Sequence, residues 1–490
     1  MCFNRQGRYK MKNQLETPLY NALKGHLSNN PVSFHVPGHK YGEIAAYKQD
    51  EFFKGILKID VTELTGLDDL HSPEGAIREA EELLSELYKT KKSYLLVNGS
   101  TVGNLAMIMA ACAEGSIVLV QRNCHKSVLN ALKLAKVRPV FLEPEVDQEW
   151  KVAAGISTQT VQQAINQYPD AKAIILTYPN YYGMVYGLKG IIDLAHQHHI
   201  PVLVDEAHGP HLIIGDPFPA SALQLGADLV VHSAHKTLPA LTMGSFLHVN
   251  SNLVDFKRVE EYLGIFQSSS PSYPIMASLD ISRHYLAAYE QEDVHFLLSE
   301  IQSFKEALAK IESIKVLTYP KTIGDPLKIT IQSKSDLTGF QLQKRFEANG
   351  IYTELADPYN VLFILPLLKK GQVYPLSETA AEIKIALYGL SFNDIIEEIP
   401  TGDERISELA ISYSEMEKLN VMEVKIERAS GLVCADTIIP YPPGIPFLMK
   451  GERITSGKIG QLNRLLQTGA RFQGDASLLK AGYLKTFSIT

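Results

Sequence analysis

The sequence predicts an α/β protein: a mostly parallel central sheet with helices on both faces, plus a smaller C-terminal α/β domain. Three observations predict it. Short apolar runs recur, and each is followed by a stretch of helical periodicity. The runs are continuously apolar rather than alternating, so both faces of their sheet should be covered. Polar residues gather directly after the runs, at the strand ends where open α/β sheets bind ligands.

Taken in order, residues 1–75 read as an N-terminal extension and arm. "PVSFHVPGHKYGE" and "DVTELTGLDDLHSPEG" are rich in Gly, Pro, His and Asp and weakly periodic, and Met11 offers an alternative start. A large domain is expected over 76–300. It opens with "AIREAEELLSELY", where Ile77, Ala80, Leu83, Leu84 and Leu87 share one helical face. Strands are expected at 93–97, 116–120, "RPVFLE", 171–179, 200–209, 227–236 and 244–250. Helices are expected through "NLAMIMAACA", "SVLNALKLA" and "LKGIIDLAHQHH". The remainder, 301–490, reads as the smaller domain: strand "LKITIQ", helix "LTGFQLQKRFEANG" closed by Asn349-Gly350, then strands "IYTEL" and "NVLFILPL". The proline-rich run 435–455 should pack as an ordered irregular segment.

Composition narrows the function. The chain has 490 residues, 45% hydrophobic and 21% charged, which allows a large core. A net charge of −7 argues against a nucleic-acid-coating surface and accords with a small cationic substrate. No apolar run nears the ~20 residues that span a bilayer, and the N-terminus lacks a signal-peptide core. Four widely spaced cysteines without a CxxC pair indicate neither a disulfide framework nor a zinc site. These readings together predict a cytoplasmic protein without membrane or nucleic-acid partners. His208 and His211 lie close in sequence, but no HExxH appears, so no metal is expected.

Four loops carry the chemistry. "VNGSTVGN" leads Gly99, Ser100, Thr101 and Gly103 into a helix, a cradle for an anion or simply a capped turn. It has neither a Walker lysine nor GxGxxG, which argues against nucleotides. "QRNCHKS" places His125 before a helix, as a cap or as a flat ring for a flat ligand. "VLVDEAHG" ends an apolar strand with Asp205, followed by His208. "VVHSAHKTLPA" does the same with Ser233, His235 and Lys236. Alone, Lys236 reads as a surface charge and Asp205 as a helix cap. Together the four loops fit pyridoxal phosphate. That cofactor needs a lysine for its Schiff base, a carboxylate for its ring nitrogen and a cradle for its phosphate.

These segments, with "FHVPGHK", "LDDLHSPEG", "SSSPSYPIMASLD" and "YPPGIPFLMKGERIT", resemble the fold-type I pyridoxal-phosphate ornithine/lysine/arginine decarboxylases. The resemblance runs from about Thr17 and is nearest to the shorter Gram-positive type. It implies that Lys236 carries the cofactor, Asp205 pairs with the pyridine nitrogen and His125 stacks on the ring. Ser100, Thr101, Ser233 and His235 would hold the phosphate, and His208 would lie near the phenolic oxygen. It also implies a homodimer or assembly of dimers, with "SSSPSY" reaching a phosphate across the interface. One segment departs from the family: "TLPALTMGSF" follows Lys236, so Pro239 and Met243 should alter the pocket wall, while Thr242 matches.

The implied reaction is decarboxylation of arginine, lysine or ornithine to an amine, with Lys236 or His235 returning the proton. A basic side chain needs acidic partners, and Asp69, Glu354 and Glu452 are the candidates. His39 and His71 are read as entrance or turn residues, and Tyr181 and Tyr182 as packing. An aminotransferase or aldolase-type lyase, or a silent regulatory paralogue, are the alternatives.

Overall fold

The computed structural model describes residues 12–44, 51–319, 323–392, 405–441, 446–467, 469–472 and 474–488. Met11, residues 393–404 and the centre of "YPPGIP" at 442–445 lie outside the described residues.

Runs rich in Val, Ile and Leu form the strands of the large sheet. They are β1 (Lys92–Leu96), β2 (Ile117–Gln121), β3 (Arg138–Leu142), β4 (Ala173–Thr177), β5 (Val202–Asp205), β6 (Leu229–His232) and β7 (Ser245–Val249). Their spatial order is β1-β7-β6-β5-β4-β2-β3. The pairs β2–β3, β2–β4, β4–β5 and β5–β6 are parallel. β7 runs antiparallel to both β1 and β6. The segment between β6 and β7 is too short for a crossover helix, so the chain turns back on itself.

Among the helices are α1 (Pro18–Ser28), α2 (Ala76–Tyr88), α3 (Gly99–Ala111), α4 (Lys126–Leu134), α5 (Thr158–Gln167), α6 (Leu188–Gln197), α7 (Phe256–Phe266) and α8 (Tyr273–Ala287); a further helix, Glu51–Ile59, lies in the arm. Strand residues divide by parity. Val118, Val120, Ile175, Leu203 and Val231 join one core with α3, α4 and α7. Leu119, Ile174, Val204 and Val230 join the other with α2, α5, α6 and α8. This two-sided burial is what the continuous apolar runs predicted.

A second sheet follows helix α9 (Gln291–Ala309). Its strands are β8 (Ile314–Val316), β9 (Lys328–Ser333), β10 (Leu355–Ala356) and β11 (Asn360–Ile364), all antiparallel in the order β8-β9-β11-β10. Helices α10 (Gly339–Ala348) and α11 (Leu376–Ala386) complete this unit. The strand expected at "IYTEL" shrinks to β10, because Ile351 N instead closes α10 by donating to Phe346 O. Further on, β12 (Ile406–Glu408) returns to the large sheet and pairs antiparallel with β3. The antiparallel pair β13 (Val421–Lys425) and β14 (Tyr483–Phe487) and helix α12 (Ser456–Gln467) surround a separate small core.

Among the described residues, no helix is long and apolar enough to cross a membrane, and no His/Cys/Asp/Glu group is arranged to hold a metal.

Candidate active site

The parallel strands β4, β5 and β6 all point their C-terminal ends at one cavity of about 1700 Å³. Strand parity decides what enters it. Asp205 shares the parity of Leu203 and faces the α3 side, whereas Glu206 faces the opposite core. There Glu206 accepts from Ser221 Oγ at 2.6 Å, Ala222 N at 2.8 Å and His232 Nε2 at 2.7 Å. The adjacent carboxylates of "VDEAHG" thus do separate work.

Lys236 lies in the single helical turn Ala234–Thr237 that follows β6. Its Nζ is 3.0 Å from His208 Nε2 and 5.7 Å from the centroid of the Tyr181 ring. Burial pushes the Lys236 pKa down, with Asp205 and Glu354 pulling the other way. Burial, then Lys236 and Lys328, hold His208 well below the usual histidine range. A neutral His208 accepts at Nε2 from the Lys236 amine and carries its own proton on Nδ1. That Nδ1 is buried with no partner among the described residues.

The other groups close around this pair. Asp205 Oδ2 accepts from Asn104 Nδ2 at 2.9 Å, and Oδ1 accepts from Ala207 N at 3.2 Å. His125 caps α4 by accepting from Ser127 N at 3.2 Å, and burial lowers its pKa, so the ring is uncharged. Gly99 (φ +82°) turns the chain into α3 and brings Ser100 Oγ within 2.8 Å of Ser233 Oγ. His235 Nδ1 donates to Gly244 O at 2.9 Å, and burial lowers the pKa of this ring too. Ser100, His125, Asp205, His208 and Lys236 line the cavity; Thr101, Ser233 and His235 are not among its lining residues.

The three candidate substrate carboxylates separate. Glu354 is not itself among the cavity-lining residues, but it accepts at 3.1 Å from the hydroxyl of Tyr181, which is, and its charge acts on Lys236. Asp69 does not line the cavity; its Oδ1 accepts from His71 N at 2.8 Å within its own turn. Glu452 lines the cavity but is committed to an ion pair, with its Oε2 2.5 Å from Arg122 Nη2 and its Oε1 on Lys458. Of the three, then, Asp69 stands apart from the cavity in a local turn, and Glu452 stands at its wall in an ion pair with residues distant in sequence.

Other expectations resolve similarly. His39 binds Asp60 at 3.1 Å within the arm, and His71 ties the arm to the large domain through Ser268 O at 2.9 Å; neither is among the cavity-lining residues. Pro239 and Met243 are not among the cavity-lining residues, contrary to the pocket-wall reading. Ser268 N donates to Asn98 Oδ1 at 3.3 Å, so "SSSPSY" stands beside the cradle of its own chain. Tyr182 is packing, its hydroxyl donating to buried Asp357. Tyr181 is not. Its ring centroid lies 4.6 Å from that of His208, and it lies between Lys236 and Lys328. Asn104, Tyr181 and Lys328 are the site residues that sequence reasoning missed. A lone asparagine in the apolar run "NLAMIMAACA" was the available signal for the first. A position just past the C-terminal end of β4 was the signal for the second.

The description "Orn/Lys/Arg decarboxylase, major domain" matches residues 17–325, and "Orn/Lys/Arg decarboxylase, C-terminal domain" matches 404–476. The uncharacterized protein YaaO of Bacillus subtilis is 46% identical over 468 residues, 95% of this chain and 97% of that protein. Arginine decarboxylase of the same organism is 35% identical over 472 residues, 94% of this chain and 96% of that protein. The structure of Escherichia coli constitutive lysine decarboxylase shares the fold, with a TM-score of 0.78 and 20% identity, over 97% of this chain and 82% of that one.

Proposed function

The chain belongs to the Orn/Lys/Arg decarboxylase family, and on that premise we propose how its residues divide the reaction. The enzyme is a pyridoxal-phosphate-dependent decarboxylase of a basic amino acid. The residues present fit that cofactor. A lysine amine with a lowered pKa, a carboxylate, a flat imidazole with a lowered pKa and a hydroxyl at a helix N-terminus line one cavity, beside a buried His208 Nδ1 with no partner among the described residues. Lys236 would hold the aldehyde carbon, Asp205 the ring nitrogen and His125 the ring face. Ser100, Thr101, Ser233 and His235 would hold the phosphate, and His208 would lie by the phenolic oxygen. When bound, the cofactor supplies an electron sink for the pair left at Cα as carbon dioxide departs.

The chain's own groups do the rest. A lowered pKa keeps the Lys236 amine available as a nucleophile, and His208 Nε2 accepts its N–H. Lys236 Nζ returns the proton to Cα. His235 is the poorer donor, because its Nδ1 proton is committed to Gly244 O and a proton on Nε2 would be held by the phosphate. Glu354, held by Tyr181 Oη, receives the basic side chain, since a cationic group requires an opposite charge when it leaves water. The single observation that carries this reading is the Lys236–His208 contact at 3.0 Å, on the strand end next to Asp205.

A homodimer is part of the reading. Val32, Phe34 and Val36 of the arm are 80%, 95% and 66% exposed, an apolar stretch that calls for a partner surface. The described cysteines, Cys112, Cys124 and Cys434, are free thiols, in keeping with a reducing cytoplasm.

Carbon dioxide release from arginine, lysine and ornithine, with and without added pyridoxal phosphate, tests the reading beside a Lys236→Ala control. Cofactor-dependent release from one of the three, lost in the control, is expected and identifies the substrate. Keto-acid formation instead, or bound cofactor without release, refutes it in favour of transamination or a regulatory role.

A further inference from the structure

We propose that Asn104 is a positioning residue that yokes Asp205 to His125. The proposal rests on the cofactor contacts assigned above. Asn104 is 1% exposed, on the face of α3 that meets the strand ends. Both of its amide hydrogens are spent inside the site. Nδ2 donates to Asp205 Oδ2 at 2.9 Å and to Ser127 Oγ at 2.8 Å. The amide has one workable orientation, because Oδ1 turned toward the carboxylate would set two acceptors against each other while Nδ2 lost its bond to Asp205. In that orientation Oδ1 is left buried without a partner among the described residues. An unpaired buried carbonyl is costly, and a purely structural residue has no reason to carry one.

The chain of protons continues. Ser127 Oγ accepts from Asn104, so its own hydrogen is free to go to His125 Nδ1 at 2.9 Å. Ser127 N donates to the same Nδ1 at 3.2 Å. With two donors aimed at Nδ1, the ring carries its proton on Nε2 and is held against rotation. At the other end, Asp205 Oδ2 is anchored and, among the described residues, Oδ1 is supported by Ala207 N alone, which leaves Oδ1 for a ring N–H. One amide thus sets both the carboxylate for the ring nitrogen and the imidazole for the ring face. Its platform is rigid. A Cβ on neighbouring Gly103 would lie 2.9 Å from Val231 and Leu96 side-chain atoms, so α3 sits on the sheet as closely as a backbone without a side chain allows.

The test compares Asn104→Ala, Asn104→Ser, Ser127→Ala, Asp205→Asn and the Asn104→Ala/Asp205→Asn double variant. Its readouts are the affinity for pyridoxal phosphate, the visible circular dichroism of the bound cofactor and the thermal midpoint without cofactor. Asn104→Ala is expected to weaken cofactor binding about tenfold to a hundredfold, the range for losing a hydrogen bond to a charged group, and to change the dichroic band. Asn104→Ser, which keeps one donor, recovers part of both. Ser127→Ala changes the dichroic band with a smaller loss of affinity. In the Asp205→Asn background, Asn104→Ala adds little. Full affinity and an unchanged band in Asn104→Ala overturn the proposal, as does additivity with Asp205→Asn. If Asn104→Ala fails to fold, an unchanged band in both Ser127→Ala and Asn104→Ser overturns it. Unchanged binding in Asp205→Asn alone overturns it through its premise, which separates the two failures.

Discussion

Replacing Glu452 with glutamine tests whether charge clamps the C-terminal segment to the cavity wall. Arg122 stands beside the loop that carries His125, and Glu452 arrives from 330 residues away. Their side chains are each 7% exposed and 2.5 Å apart. Removing one partner of such a pair strands the other charge in the interior, at about 3–5 kcal/mol. Glu143 stays 3.4 Å from Arg122, at 35% exposure, and takes up part of the loss. The expected destabilisation is therefore at the lower end, about 3 kcal/mol. It should also depend on pH. Burial pushes the Glu452 pKa up, but Arg122 and Lys458 outweigh it and hold the carboxyl below its usual range. A folded-state value below the unfolded one stabilises above the unfolded value, and that stabilisation fades as pH falls through the folded value. Urea unfolding at neutral pH should show the full gap between wild type and Glu452→Gln, and the gap should narrow in acid. The KM for the amino-acid substrate should change little. A loss under about 1 kcal/mol, the size of an exposed pair, would refute the clamp. A large rise in KM at unchanged stability would make Glu452 a substrate ligand instead.

Glu354→Gln should raise KM for the basic amino acid about tenfold or more while kcat falls less, as expected for lost ground-state binding; steady-state kinetics would show the opposite split if Glu354 acted on the chemistry. Gly103→Ala forces a methyl group to within 2.9 Å of Val231 and Leu96, and calorimetry should register a loss of about 1–3 kcal/mol. Burial raises the pKa of Glu81 to about 8, while its Oε1 accepts from Leu95 N at 3.1 Å. The folded state therefore binds a proton that the unfolded state has released, so stability should decline as pH rises from about 4.5 toward about 8. Glu81→Gln should remove that decline, and parallel pH profiles for variant and wild type would refute it. Lys236→Ala should lose the cofactor's absorbance under denaturing conditions, where wild type retains it after mild reduction.

The sequence alone determined the layered α/β class, because continuous apolar runs followed by helical periodicity leave few ways to bury both faces of a sheet. It also put Lys236 and Asp205 at one edge of the sheet. Asp205 ends one apolar strand and Lys236 lies in the turn after the next, and β5 and β6 are adjacent and parallel. Local rules of this kind read from short windows. Tertiary structure decided what depends on contacts distant in sequence. Asn104 meets Asp205 across 101 residues, Tyr181 meets Glu354 across 173, and Arg122 meets Glu452 across 330. No window joins such pairs, so Glu452 looked like a free carboxylate and Tyr181 like packing. The reversal of β7 and the return of β12 to the sheet edge are likewise outcomes of chain geometry. A periodicity signals a strand; direction and neighbours are set by the length of the connection and by which edge is left to cover.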